Sequence, residues 1–231
     1  MPDGDWPATD QCLVSPPLPR TPLQRTQLPP GMPARLGILA SGNGSNFEAI
    51  ATAIAQKELS AELAVVIYNN PGAGIVARAQ RWQVPIVLHD HRRYDSREKL
   101  DAALVETLRS HRVDWVIMAG WMRRVTVHLI DAFPQRLLNI HPSLLPSFPG
   151  LRAVEQALQA RVTIAGCTVH YVELAVDSGP IIMQAAVPVL PDDTPDRLQA
   201  RIQVQEHRIY PAAIARAIKA AGRNDVFTDI D

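Results

Sequence analysis

"ILASGNGSNFEAI", residues 38–50, joins an apolar run of strand length to the start of a helical pattern through a glycine-rich turn. Glycines let the backbone turn tightly and approach a ligand, and the free N–H groups and dipole of a helix start attract a phosphate. No lysine follows the turn as in a P-loop, and Phe47 stands where a dinucleotide fingerprint has its third glycine. The stretch therefore predicts a strand, a phosphate-binding turn and a helix, with a purely structural turn as the alternative.

Further along the chain, apolar runs of strand length alternate with segments of helical character. Continuous apolar runs are typical of parallel strands that helices bury on both faces. Residues 95–112 illustrate a covering helix, because Asp95 and Glu98 fit a capping box and leucines recur every four residues. The pattern predicts an α/β fold with a doubly wound, mostly parallel sheet whose N-terminal half is of the Rossmann type. The predicted strands are residues 36–40, 62–68, 84–89, 113–120 and 136–140.

The C-terminal part of the chain has a different pattern. Residues 164–172 and 179–190 are two β-type runs separated by a polar turn, which predicts an antiparallel hairpin at the edge of the sheet. Thr194 and Pro195 fit an N-cap and a proline at the first position of a long C-terminal helix. Pro211 is expected to kink or break that helix.

The domain organisation is predicted from the distribution of prolines. The first 33 residues contain nine of the chain's 20 prolines and show little apolar periodicity, so residues 1–34 are expected to be a disordered extension. Residues 35–223 are expected to form one domain and residues 224–231 a tail. Met32, just before the first predicted strand, is a candidate for the true start of translation.

Composition argues against several classes of partner. The 23 Lys and Arg residues balance the 23 Asp and Glu residues without a long basic run, which disfavours a nucleic-acid or anionic-membrane surface. No apolar run reaches the roughly 18 residues of a membrane-spanning helix, so we expect a cytoplasmic protein with small-molecule partners. Cys12 and Cys167 match no metal or redox spacing, and His89 and His91 lack a third ligand nearby, so we expect no metal.

A second stretch, LLNIHPSLLPSFPG (137–150), ends a predicted strand with an amide, an imidazole and repeated prolines. Side chains alternate along a strand, so Asn139 and His141 project the same way at the carboxyl end of a parallel strand, where such folds bind ligands. Asp177, in a glycine-containing turn, is the acid best placed to orient His141 and favour its imidazolium form. Two such donors suit the oxyanion that forms when a nucleophile attacks a carbonyl. Since the substrate can bring its own nucleophile, the set predicts acyl transfer, with a hydrogen-bonded strand-end histidine as the alternative.

Five separated motifs resemble the phosphoribosylglycinamide formyltransferase family, the folate-dependent glycinamide ribonucleotide transformylases of purine synthesis. The likeness extends in order over about residues 35–220. It implies a formyltransferase-like fold, 10-formyltetrahydrofolate as co-substrate, glycinamide ribonucleotide as acceptor and no metal. The motifs are SGNGSN (41–46), AGWMR (119–123), NIHPSLLPSFPG (139–150), VDSGPII (176–182) and QVQEHRIYP (203–211).

The resemblance also implies roles for individual residues. The catalytic trio would be Asn139, His141 and Asp177. The phosphate of the ribonucleotide would be held by Gly44, Ser45 and Asn46, and the ribonucleotide would also meet Gln203 and Glu206. The folate would lie against Arg97, Met122, Arg123, Arg124, Val125 and Asn139.

The sequence departs from the family pattern at two points, and it leaves several alternative functions open. Arg124 stands where the family often carries an aliphatic residue, and the N-terminal extension has no counterpart in the family pattern. Related alternatives are a formyltetrahydrofolate deformylase and a formyltransferase that acts on initiator tRNA. From other classes, a noncatalytic nucleotide-binding module and a dinucleotide-dependent dehydrogenase fit the first turn, although neither needs the trio. A monomer and a homodimer are both compatible with the sequence.

Overall fold

The computed structural model describes residues 13–18 and 33–222, which form a sheet with helices on both faces. In this part of the chain the strands are Val14–Ser15 (β1), Ala34–Ala40 (β2), Ala61–Tyr68 (β3), Ile86–Leu88 (β4), Trp115–Met118 (β5), Leu137–His141 (β6), Ile164–Tyr171 (β7) and Ile181–Pro188 (β8). The helices are Ser45–Ala55 (α1), Ile75–Arg81 (α2), Arg97–Ser110 (α3), Val127–Ala132 (α4), Ala153–Gln159 (α5) and Pro195–Ala221 (α6), with a short 3-10 turn at His91–Arg93.

The sheet has the strand order β1-β8-β7-β6-β5-β2-β3-β4. Strands β4, β3, β2, β5 and β6 pair in parallel with one another, whereas the pairs β6–β7, β7–β8 and β8–β1 are antiparallel. The chain leaves β2 toward β3 on one side and returns to β5 on the other, so the strand order reverses between β2 and β5. Such a reversal opens a crevice at the carboxyl ends of the strands. Ser41 N donates to Gly120 O at 3.0 Å and joins the two loops that diverge there.

Each face of the sheet has its own apolar core. On one face, α1 contributes Phe47 and Ile50, α2 contributes Ile75, and α6 contributes a long buried stripe that includes Ile202 and Tyr210. The other face is covered by α3 and α4. The leucine stripe of α3 is buried as its four-residue spacing requires, at Leu100, Leu104 and Leu108.

This architecture confirms the predicted doubly wound α/β fold with an antiparallel C-terminal part and a long C-terminal helix. The five predicted strands of the N-terminal half appear as β2 to β6, and the predicted hairpin is β7 and β8. Thr194 is the N-cap of α6, and its side chain accepts a hydrogen bond from Arg197 N. No helix in residues 13–18 and 33–222 has the length and apolarity needed to cross a membrane.

Two details of the predicted helices are wrong. The N-cap of α3 is Ser96, whose Oγ accepts from Lys99 N at 3.2 Å, while Asp95 forms an ion pair with the Lys99 side chain. Of the kink or break expected at Pro211, the break does not occur, because α6 runs through that residue. Tyr210 is buried beside it and its hydroxyl donates to the carbonyls of Met118 and Leu138, so tertiary contacts outweigh the helical hydrogen bond that proline cannot make.

The described part of the N-terminal extension is ordered against the sheet. Val14 and Ser15 pair antiparallel with Ala185 and Gln184 of β8. This pairing differs from the disorder expected for residues 1–34, because two residues are too short a strand to give a sequence pattern. Residues 1–12 and 19–32 of that extension, with Cys12 and Met32, lie outside the described residues, as does the predicted tail, while Ala34 already belongs to β2.

Candidate active site

The end of β6 brings an amide and an imidazole to the crevice. Asn139 and His141 lie on the same side of β6, as the period of a strand requires. Strand β7 runs beside them, with His170 opposite Asn139 and Thr168 opposite His141. His141 is buried and Asn139 is half-buried, so these polar groups lie in surroundings where electrostatic contacts are stronger than in water.

Asp177 reaches both of these side chains from the turn between β7 and β8. Its Oδ2 lies 3.3 Å from His141 Nδ1, and its Oδ1 lies 3.4 Å from Asn139 Nδ2. Gly150 N, in the proline-rich loop after β6, donates to Asp177 Oδ2 at 2.8 Å. The predicted trio is therefore gathered at one point, although its members are separated by as many as 38 residues in the chain.

The environment keeps Asp177 ionised. Burial by itself raises the pKa of its carboxyl, but contact with His170, the hydrogen bond from Gly150 N and the nearby imidazoles together bring the pKa below its usual value. Asp177 has a φ of 52°, in the left-handed region that non-glycine residues rarely adopt. Strain of this kind is common where a side chain must be aimed at a functional site.

The orientation of His141 is fixed from its other side. His141 Nε2 lies 2.9 Å from Phe148 O. Both ring nitrogens therefore face oxygen acceptors, and only the doubly protonated ring can donate to both. With Nε2 engaged by the loop, Nδ1 is the ring nitrogen that faces Asp177. His141 Nδ1 and Asn139 Nδ2 thus both lie against the Asp177 carboxyl.

His170 completes the cluster, and the sequence pattern left open whether it has a packing role or lines the site. Its Nε2 lies 3.2 Å from Asn139 Nδ2 and 3.6 Å from Asp177 Oδ1, and its Nδ1 lies 2.7 Å from Tyr171 O. The ring is almost fully buried, so these contacts hold the amide and the carboxylate in place. In the sequence, the role of His170 was indicated only by its alternation with Thr168 along β7. That alternation does not show which strand pairs with β7.

The proline-rich loop is anchored by a second set of hydrogen bonds. Thr168 Oγ1 donates to Ser143 O at 2.7 Å and accepts from Leu145 N at 3.1 Å. Gln184 of β8 donates to Leu145 O at 3.0 Å. The carbonyl of Phe148 and the amide of Gly150 are thus presented to His141 and Asp177 by a loop that β7 and β8 hold.

The glycine-rich turn after β2 forms the N-terminus of α1. Gly44 is the N-cap with a φ of 77°, and a Cβ built there would lie 2.8 Å from the side chain of Ile75. Glycine is therefore required at this position for both conformation and space. No side chain caps the helix, so no side-chain oxygen competes with a ligand for its first N–H groups, as a phosphate site requires.

Helix α6 packs against this turn through two polar pairs. Gln203 Nε2 donates to Ser45 Oγ at 2.8 Å, and Asn46 Nδ2 donates to Glu206 Oε2 at 2.9 Å. Burial raises the pKa of Glu206, and the hydrogen bond from Asn46 only partly opposes that rise. The structure thus joins four of the five predicted ribonucleotide contacts in two pairs, across about 160 residues of chain.

Residues 34–214 match the family model described as formyl transferase. The chain belongs to the formyl transferase family. The phosphoribosylglycinamide formyltransferase of Bacillus subtilis is 38% identical over 191 residues, which are 83% of this chain and 98% of that protein. The human trifunctional purine biosynthetic protein adenosine-3 is 41% identical over 78% of this chain, but the match covers only 18% of that longer protein.

Solved structures of formyl transferase family members share the fold. The glycinamide ribonucleotide transformylase 1 of Symbiobacterium toebii is 46% identical with a TM-score of 0.80, covering 86% of this chain and 91% of its own. The phosphoribosylglycinamide formyltransferase of Bacillus halodurans is 42% identical with a TM-score of 0.79, covering 84% of this chain and all of its own.

The predicted folate contacts lie at three places in this formyl transferase fold, one of which is Asn139 on β6. Met122, Arg123, Arg124 and Val125 follow β5 in the loop that leads to α4, and Arg97 is the exposed first residue of α3. Met122 N donates to Ser41 Oγ at 2.8 Å, so this loop is attached to the glycine-rich turn. The side chain of Met122 is 68% exposed, while Val125 is buried.

Within residues 13–18 and 33–222, no group of three or more His, Cys, Asp and Glu side chains is arranged to hold a metal ion. The two histidines of the LHDHRR segment have other contacts. His89 lies 2.6 Å from the Tyr94 hydroxyl and 2.8 Å from Thr107 Oγ1, and His91 contacts Asn69. Burial lowers the pKa of His89, which is typical of a structural ring within a polar network.

Proposed function

We propose that this protein transfers the formyl group of 10-formyltetrahydrofolate to the amine of glycinamide ribonucleotide, in de novo purine biosynthesis. The observation that carries the proposal is the convergence of Asn139, His141 and Asp177 beside a helix start that is open to a phosphate. A nucleotide-binding module or a dehydrogenase needs no such trio. The full-length likeness to the Bacillus subtilis enzyme supports the same reaction.

The acceptor is held at the junction of α1 and α6. The amides at the start of α1, from Gly44 to Asn46, receive the ribonucleotide phosphate. Gln203 and Glu206 contact the rest of the ribonucleotide, and the Glu206 carboxyl receives a hydrogen bond from the substrate. The amine of the acceptor is thereby directed toward the end of β6.

The donor lies between the loop after β5 and the start of α3, against Met122, Arg123, Arg124 and Val125, with Arg97 and Asn139 as further contacts. Exposed apolar side chains support this placement. Met122, Leu151 and Val176 are exposed, and the last two adjoin Gly150 and Asp177 in the chain. An aromatic ligand would remove this apolar surface from water.

The reaction is direct acyl transfer. The amine nitrogen of the acceptor attacks the formyl carbon, and Asn139 Nδ2 with His141 Nδ1 stabilises the oxygen that becomes negative. Asp177 stabilises the cationic ring. The bond from the formyl carbon to the folate nitrogen then breaks, and the proton lost by the attacking amine passes to that nitrogen through Asp177 or water beside it. Holding both substrates in one crevice converts a bimolecular step into an oriented one.

We propose further that residues 35–223 form the catalytic domain and that the protein acts in the cytoplasm, where its small substrates are found. A monomer contains every group named above. The tail and most of the N-terminal extension contribute no group to this mechanism.

A two-substrate assay tests the function. Tetrahydrofolate should form from 10-formyltetrahydrofolate only when glycinamide ribonucleotide is present, in a one-to-one ratio with formylated ribonucleotide. Release of formate without ribonucleotide would identify a deformylase instead. Transfer to charged initiator tRNA but not to the ribonucleotide would identify the tRNA enzyme, and a nicotinamide-linked absorbance change would identify a dehydrogenase.

A further inference from the structure

Asp101 is a carboxylate buried on the apolar face of α3. It is 2% exposed and lies next to Leu100, one turn before Leu104 and Val105. Burial raises the pKa of its carboxyl, and a hydrogen bond from Thr126 opposes that rise. A buried carboxyl is unfavourable unless hydrogen bonds offset the lost hydration. The hydrogen bond that offsets this cost therefore shows which part of the fold depends on Asp101.

That contact reaches the loop between β5 and α4. Thr126 N donates to Asp101 Oδ2 at 2.5 Å. Thr126 is the N-cap of α4, with extended backbone angles and no cap from its own side chain. Asp101 consequently fixes the point at which the loop ends and α4 begins.

The other end of the loop is anchored from the glycine-rich turn, through the bond from Met122 N to Ser41 Oγ. Between the two anchors lie Arg123, Arg124 and Val125, which form one side of the proposed donor site. Trp121 Nε1 and Arg123 Nε are buried and have no hydrogen-bond partner among the described residues. The bonds from Met122 N and Thr126 N are therefore the contacts by which this segment is attached to the turn after β2 and to α3.

The other side of the donor site is on the same helix as Asp101. Arg97 is the first residue of α3, and Asp101 follows it by four residues, so both lie on one side of the helix. We propose that Asp101 is a positioning residue that sets the spacing between Arg97 and the Met122–Val125 loop, and so the affinity for the formyl donor. This inference rests on the proposed function and extends it to a residue that need not touch either substrate.

The test compares Asp101→Ala with Asp101→Asn. Alanine removes the acceptor for Thr126 N, whereas the asparagine carbonyl can still accept that bond. We expect Asp101→Ala to raise the KM for the formyl donor about five- to twentyfold, with the KM for the ribonucleotide changed less than about twofold. Asp101→Asn should restore most of the donor affinity. Asp101→Leu, which keeps apolar volume without an acceptor, replaces the alanine variant if that variant does not fold.

Binding without turnover gives an independent measurement. The dissociation constant of 10-formyl-5,8-dideazafolate, measured by calorimetry, should rise in Asp101→Ala by the same factor as the KM for the donor. A matched control is Asp114→Ala, because Asp114 Oδ2 accepts a hydrogen bond from Arg35 N at 2.9 Å at the opposite end of the sheet. That variant should lose thermal stability while both KM values stay near those of the unchanged protein.

The outcomes separate the two proposals. If the unchanged protein forms no product from the two substrates, the proposed function fails. If it is active but Asp101→Ala binds the donor normally, or loses affinity for both substrates equally, Asp101 has only a structural role and the inference is overturned. Failure of asparagine to restore affinity would also overturn it, since the acceptor oxygen would then not be the reason for the effect.

Discussion

At the scale of single residues, the chemistry depends on which atoms the trio presents to a substrate. His141 Nε2 is hydrogen-bonded to the carbonyl of Phe148. The carboxyl of Asp177 lies near both His141 Nδ1 and Asn139 Nδ2. The two donors of the proposed mechanism therefore share one acceptor in this structure. In the proposed mechanism the formyl oxygen accepts from the same two N–H groups, which their contacts with Asp177 hold on one side of the site.

Loss of either donor is expected to affect turnover more than binding. Asn139→Ala and His141→Ala should each lower kcat by about 10²- to 10³-fold. Because Gln203, Glu206 and the start of α1 are untouched, the dissociation constant of the ribonucleotide should stay within about threefold in both variants. Kinetics and calorimetry on the same preparations measure the two quantities. A normal kcat in both variants would contradict the proposed stabilisation of the oxyanion by these two side chains.

Asp177 should make a pH-dependent contribution to stability. Its pKa in the fold lies below the usual value of 3.8, so its charged form stabilises the native state above about pH 4, and that stabilisation is lost as the pH falls toward the lowered pKa. Asp177→Asn should therefore unfold at a lower temperature than the unchanged protein at pH 6, with the difference narrowing below about pH 4. Scanning calorimetry from pH 3 to pH 7 checks this, and a difference that grows in acid would contradict the assignment.

Glu206 should behave in the opposite sense. Burial raises its pKa above the usual 4.5, so the folded protein holds a proton that the unfolded chain has lost, and stability falls as the pH rises above about 4.5. Glu206→Gln keeps an acceptor for Asn46 Nδ2 and is neutral at all pH values. We expect it to match the unchanged protein at pH 4 and to be more stable at pH 7, while its ribonucleotide affinity falls. If the variant and the unchanged protein had equal stability at both pH values, the pKa of Glu206 would not be raised in the fold.

At the scale of elements, the first turn requires glycine at one position and tolerates a side chain at another. A Cβ at Gly44 would lie 2.8 Å from Ile75 in a left-handed conformation, whereas a Cβ at Gly42 would meet nothing within 4 Å. Gly44→Ala should therefore lower the free energy of unfolding by more than about 1 kcal/mol and raise the KM for the ribonucleotide. Gly42→Ala is the matched control and should change the free energy of unfolding by less than about 0.5 kcal/mol. Denaturant titrations and steady-state kinetics compare them.

The elements themselves were largely predictable, because their signals are local. Apolar runs located β2 to β8, and Thr194 with Pro195 located the start of α6. The cap of α3 was misplaced by one residue because Asp95 and Ser96 are both good caps, and only the backbone angles decide between them. A break at Pro211 was wrongly predicted because burial of Tyr210 and its neighbours is a tertiary effect that the local rule omits.

The site was predictable only in part. Asn139 and His141 were visible because a strand places residues two apart on one side. The contacts of His170 with Asn139 and Asp177 depend on the register of β6 with β7, and the bond from Thr126 to Asp101 spans 25 residues between two helices. No periodic pattern encodes such pairs. The resemblance supplied Glu206, whose segment would otherwise be taken as a solvated helix face, although the structure buries it.

At the scale of the whole molecule, the short strand β1 extends the sheet beyond β8. It contributes no group to the proposed mechanism, so deletion of residues 1–31 should leave kcat and both KM values within about twofold. Loss of the pairing of Val14 and Ser15 with β8 should lower the melting temperature, by about 2–4 °C for each kcal/mol lost in a domain of this size. Kinetics and calorimetry on the truncated protein check both parts. A large fall in turnover would mean that the extension acts on the crevice.

The packing of α6 against the first turn has a consequence for biosynthesis. Gln203 and Glu206 follow β6 and the turn of Asp177 in the chain, yet they complete a pocket that begins at residue 44. A nascent chain on the ribosome would carry β6 and the turn of Asp177 before α6 has emerged from the exit tunnel. Such an intermediate would expose the sheet face that Ile202 and Tyr210 later cover. The emergence of α6 would therefore complete the acceptor pocket and protect that surface in the same step.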